Sequence, residues 1–417
     1  MKISKVFGRE IINSCGVPAL SCEIVLEDGT LVGASVASDP DINQEEVFIL
    51  KDGGQRCAGQ GLQKAVYALE SVVAPAFLGK VPEVHVFDAI LSELDGTAEK
   101  KNLGANVTLA ASLAVCKAQA AVEQLEVFET VAQLKGSASV SLPFPLVNVV
   151  SGGKKLQNGL PFKNIMLVPV GAQNFRIALE YAATVVHECA RLLKSRDKVV
   201  ATADSGGLFS FYKDFQEPFE IIMEALANTG MDGVFVLGID VGADQFFDQA
   251  RRLYEWESVY KTADELISLY KKLCDSYPLY SLENGLSWRD TEGYASLFGS
   301  LGTTIQVASN EGFIHNSTLL QGLTAQVFVN ASVLRLTESS TVTEFLESIS
   351  TCQNQGLNTV IAASGGETGE SILADLAVGT SAGQVQVGGL CRGEHVSKYN
   401  RLLFIEDLLS SELLNRA

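Results

Sequence analysis

The chain has 417 residues, 47% hydrophobic and 19% charged, and its 31 basic against 49 acidic residues leave a formal charge of −18. So apolar a composition excludes a disordered chain, and the length suits two domains, one small and one barrel-sized. The acidic balance contains no long run of like charge, which argues against a nucleic-acid backbone or an anionic membrane as the natural partner.

Residues 1 to about 75 read as strands and turns. ALSCEIVLEDGTLVGASVAS holds two apolar runs around Glu27-Asp28-Gly29-Thr30, a hairpin signal because glycine supplies the left-handed backbone such turns use. Residues 60 to 135 read as helices, and in GANVTLAASLAVCKAQAAVEQL Ala and Leu fill the helical period. SLPFPLVNVV (141–150) begins Pro-rich and becomes a strand, placing a domain boundary there: an N-terminal domain over 1–135 and a second over 140–417.

The second domain opens with PLVNVV, a Gly-Gly loop and NIMLVPV, and two helical stretches follow between about 173 and 230. Six strand–helix units then run to the end, which makes eight strands, enough to close a barrel. No helix separates the first two strands, so they are expected to run antiparallel. Five later strands finish in polar or small residues: VFVLGID at Asp240, LYSLEN at Glu283 and Asn284, TIQVASN at Asn310, QVFVN at Asn330, TVIAAS at Ser364. A parallel barrel gathers its chemistry at that edge. Here two ends carry carboxylates and the others carry neutral groups.

The eight cysteines (15, 22, 57, 116, 189, 274, 352 and 391) form no CxxC pair and have no histidine at zinc-finger spacing. Most of them read as small buried hydrophobes of a reducing compartment. MKISKVFGRE lacks a signal-peptide core, and no run approaches the roughly 18 apolar residues of a membrane span. A cytoplasmic protein is expected.

Over nearly its whole length the sequence resembles the enolase family, the phosphopyruvate hydratases. GREIINSCGVPAL, LDGT, GANVTLAASLA, PFPLVNVVSGG, ADLAVGTSAGQVQVGG and KYNRLLFIED occur in that family's order at compatible spacings. The resemblance implies an α/β protein, a small α+β domain followed by a ββαα(βα)6 TIM-type barrel, assembled as a homodimer. It also implies interconversion of 2-phosphoglycerate and phosphoenolpyruvate by a lysine base and two Mg²⁺ ions, the superfamily logic that serves as a general example of pKa tuning.

Aligned with that family, the site departs at most positions. Asp240 and Glu283 match two of three primary metal ligands, and the third is Asn310, with Glu311 beside it. An amide offers a hard cation a dipole where a carboxylate offers a charge, so Mg²⁺ binding is expected to be weak and no resident cofactor is expected. The family's closing loop becomes Ser38-Asp39-Pro40-Asp41-Ile42-Asn43, where proline restricts the backbone. The base lysine is placed at Asn330, the acid side becomes Ser205 and Lys163-Asn164, and the active-site histidine becomes Lys155. The phosphate-gripping segment becomes Ala362-Ala363-Ser364-Gly365, leaving Lys398 as the substrate-binding survivor.

The expectation is therefore an enolase-fold pseudoenzyme kept as a structural or interaction protein, with a cytoskeletal or flagellar assembly as one setting. The alternatives are an enzyme of altered or residual chemistry, with Lys163 as base beside Asp240 and Glu283, and an anion sensor built on Lys155, Lys163 and Lys398.

Overall fold

In the computed structural model the described residues are 1–37, 47–137, 139–310 and 328–410. Strands β1 (Ile3–Ile12), β2 (Pro18–Leu26) and β3 (Leu31–Val36) form an antiparallel meander, and β2 turns into β3 at the Asp28-Gly29 turn expected from sequence. The Asp28 carboxylate accepts the Thr30 amide at 2.9 Å, fixing that turn. Helices cover one face of this sheet. Among the described residues one of them, Ala105–Glu123, is long and apolar enough to cross a membrane, contrary to the sequence expectation. It is instead spent on the core, packed against β2 and β3 with most of its side chains buried. Alanine allows this close approach, because it loses no rotamer freedom and keeps the helix narrow.

The second domain is an eight-stave barrel. Its first stave is nearly continuous, β4 (Phe144–Pro145) and β5 (Val147–Ser151), and the Leu146 amide donates to Val385 O at 2.8 Å between them. Next comes β6 (Asn164–Pro169), antiparallel to β5 as a direct connection demands. Helix Phe175–Ser195 follows, capped by the Asn174 side chain, then a two-residue hairpin, β7 (Ala201–Thr202) with β8 (Leu208–Phe209), and helix Glu217–Thr229. Strand β9 (Phe235–Asp240) is antiparallel to β6. After it a small antiparallel sheet, β10 (Phe247–Asp248), β11 (Leu253–Trp256) and β12 (Val259–Lys261), leaves the barrel.

The remaining staves are parallel: β13 (Leu279–Glu283), β14 (Gln306–Asn310), β15 (Ala331–Arg335), β16 (Asn358–Ala362) and β17 (Gln384–Gln386); a described helix leads into each of them except β15, whose approach lies largely outside the described residues. Crossover helices oblige that direction. Local chemistry starts them cleanly. Thr262 and Glu265 form a reciprocal capping box before Ala263–Ser276, and the Thr341 hydroxyl accepts the Glu344 amide before Val342–Asn354. Strand β17 pairs with β4, and the Asn148 amide continues the seam to Gly388 O, so the ring closes. Inside it a separate apolar cluster of Leu146, Met166, Val168, Ala308, Ala331, Val333, Val360 and Ala362 fills the barrel.

The domains meet through buried polar contacts. The Asp88 carboxylate accepts the Thr343 amide at 2.9 Å, the Ser112 hydroxyl accepts that of Val342 at 2.9 Å, and Lys117 pairs with Glu370 at 2.7 Å. Arg401 joins Glu126 of the first domain to the buried Asp375.

Candidate functional site

The carboxyl ends of the staves surround a cavity of about 540 Å³. Asp240 ends β9 and Glu283 ends β13, and the parallel register sets the two residues directly side by side. Both are almost wholly buried, with 3% and 2% of their surface exposed. Burial, and then the charge of Asp240, push the Glu283 carboxyl up to about 8, against the opposing pull of Arg335 and Lys163. Among the described residues Asp240 Oδ1 has no hydrogen-bond partner.

The backbone of Asn310 closes β14 beside Val333. Its side chain, Glu311 and the loop Ser38–Asn43 lie outside the described residues.

The base position needs correcting. The expected strand QVFVN is not the stave: β15 begins at Ala331, so Asn330 precedes it at the opposite end of the barrel from Asp240 and Glu283. There Asn330 Oδ1 accepts the Val307 amide at 2.7 Å, and Nδ2 donates to Gly302 O and Ile305 O at 3.0 and 3.1 Å. Two apolar runs, VFV and ASVL, stand next to each other in the sequence. Pairing of Ala331 with Ala308 and Asn358 selects the second. The residue that ends the stave is Arg335, with its guanidinium 3.6 Å from Glu283 and 3.4 Å from Glu338. Its signal was legible: an arginine terminating an apolar run, as Asp240 terminates FVLGID.

On the other side of the cavity Asn164 opens β6, opposite Ser151 in register. Asn164 Oδ1 accepts from the Ser205 hydroxyl at 2.9 Å and from Ser151 at 3.2 Å, and the two serines meet at 2.6 Å. Sequence reading missed Ser151, whose place depends on the antiparallel register. Lys155 and Lys163 line the same cavity, and Lys163 lays its aliphatic stem over Gly242, where a Cβ would come within 2.5 Å of it.

Ala363, Ser364 and Gly365 bring no charge to the lining. The Ala363 amide donates to Gln386 O at 2.9 Å, and the Ser364 hydroxyl bonds Thr337. Lys398 sits behind this wall, 1% exposed, held by Glu367 at 3.0 Å and by Glu394 O at 2.9 Å. It supports Glu367, a cavity residue that sequence reading did not single out. His395, also missed, wedges between the positive-φ glycines 206 and 388, where a Cβ would come within 2.8 and 2.7 Å of its ring. Burial holds its pKa down to about 4, so the ring is neutral at physiological pH.

The described residues do not fit a divalent cation. No three His, Cys, Asp or Glu side chains among them are grouped to hold one. Of the adjacent pair, Glu283 already has the Arg335 guanidinium 3.6 Å away, and a second cation beside it would meet a like charge.

Two family models match the chain: "Enolase, N-terminal domain" over residues 3–131 and "Enolase, C-terminal TIM barrel domain" over residues 139–415. They divide the chain where the meander and its helices give way to the barrel. The protein belongs to the enolase family.

Proposed function

We propose that this member of the family does not run the hydratase reaction and is kept as a structural or interaction protein, as a homodimer or within a larger assembly. The observation that carries this reading is the hydroxyl–amide triangle of Ser151, Asn164 and Ser205. It fills the side of the cavity where the resemblance puts the acid. None of the three groups ionises in the physiological range, so none moves a proton as a general acid must. Opposite them the stave ends in Arg335, and a guanidinium stays protonated and accepts nothing from carbon. Loss of one acid–base group lowers a rate by about 10² to 10⁴.

The test is an assay with millimolar 2-phosphoglycerate and Mg²⁺ in excess, for which no turnover above the blank is expected. Turnover that survives purification and vanishes in Asp240→Ala would overturn the proposal.

The cavity itself favours a second reading, altered chemistry on a different carbon acid with Lys163 as base. That reading requires solvent deuterium to enter some small carboxylic acid next to its carboxylate, and to stop entering it in Lys163→Met.

A further inference from the structure

Two carboxyl groups side by side in a barrel mouth repel once both ionise, and either a retained proton or a positive charge relieves that repulsion. Asp240 and Glu283 face each other in register, at 3% and 2% exposure, where water screens their repulsion poorly. A bound divalent cation is one way to balance such a pair. The chain supplies another from two staves away. Arg335 ends β15, and its side chain reaches past β14 to stand 3.6 Å from Glu283.

We propose that Arg335 is a tethered counter-ion that takes over the charge-balancing role of a metal at the Asp240–Glu283 pair, so that this barrel mouth holds together without a divalent cation. Three features support it. The guanidinium is fixed in charge, planar and forked, so it can address two carboxylates at once. Glu338, three residues on, takes its other edge at 3.4 Å and orients the fork toward Glu283. And the guanidinium is only 17% exposed, so the interaction is shielded from bulk salt more than a surface pair would be. A metal ion can leave at low concentration, whereas an arginine cannot.

Thermal melting of the full chain in EDTA and in millimolar Mg²⁺ tests this. The wild-type curves are expected to coincide. Arg335→Met should melt several degrees lower in EDTA, regain part of that loss in Mg²⁺, and bind Mg²⁺ in calorimetry about tenfold or more tighter than the wild type. Adding Asp240→Asn to that variant should abolish the Mg²⁺ response. Arg335→Lys keeps a charge without the fork, and is expected to melt between the two while ignoring Mg²⁺. Should Arg335→Met fail to fold, the triple variant Arg335→Met, Asp240→Asn, Glu283→Gln removes the charges that need balancing and is expected to fold. Three results would overturn the proposal: wild-type protein stabilised by Mg²⁺, an Arg335→Met variant as stable as wild type and indifferent to Mg²⁺, or a triple variant that does not fold.

Discussion

The two ends of the barrel are built from similar polar residues and treat them oppositely. At the floor, where the staves begin, Gln306 and Gln384 exchange a reciprocal pair of amide hydrogen bonds at 2.9 and 2.7 Å. Ser281, Tyr280 and Asn358 complete them at 3.0, 3.2 and 3.3 Å. At the mouth, buried acceptors of Asn148, Asp240 and Gln386, and Nδ1 of His395, have no hydrogen-bond partner among the described residues. Satisfied buried amides rigidify a structure, while unsatisfied ones cost free energy wherever nothing completes them. The floor is a closed structural device. The mouth remains a lined recess whose polar groups are presented to whatever enters it.

That contrast is open to attack by mutation. The largest effect should come from the floor: Gln306→Leu strips partners from Ser281, Gln384 and Asn358 at once and should cost about 3 kcal/mol in a urea titration. A loss below about 1 kcal/mol would mean that the floor network contributes little. A matched change at the mouth should be mild. Gln386→Met removes an unpaired carbonyl, a weak contact to the Met166 sulfur and a hydrogen bond to Glu283, gains and losses that offset one another, and should leave stability within about 1 kcal/mol of wild type.

A different kind of effect is a change of slope with pH. The Glu283 carboxyl is raised from 4.5 to about 8, so the folded chain holds its proton more tightly than the unfolded one. The stability it contributes is full below pH 4.5 and is lost as pH rises toward 8. His395 is lowered from 6.5 to about 4, so its contribution is full above pH 6.5 and is lost as pH falls toward 4. Denaturant midpoints should therefore decline from pH 6.5 to 8, and Glu283→Gln should flatten that decline and, because the two windows overlap between pH 4.5 and 6.5, steepen the rise on the acid side. His395→Gln should remove that rise and leave the decline above pH 6.5 in place. If neither variant alters its own limb, these groups are not what the mouth's pH response reports.

Some of this was legible in the residues and some was not. The hairpin at Asp28-Gly29 and the antiparallel first pair of staves followed from local chemistry and from a missing crossover helix. The ends of β9 and β13 are legible because a single charged residue closes a mostly apolar run. At β15 two apolar runs adjoin, and which one becomes the stave depends on partners far away in the chain, so the local sequence points to Asn330 where the fold uses Arg335. Ser151 and His395 carry no sequence signal of their own. One is placed by strand register, the other by the space that two glycines leave.

The seam where β17 meets β4 has a consequence for how the molecule is made. Phe144 must wait for Gln384 before its edge is covered, so nearly the whole second domain has to emerge from the ribosome first. Until then the first stave is an open template, exposed during the slow, non-local part of folding. Nascent chains stalled before Gln384 should be the ones that chaperones hold and that self-associate through that edge. Release of a few more residues should be enough to seal it.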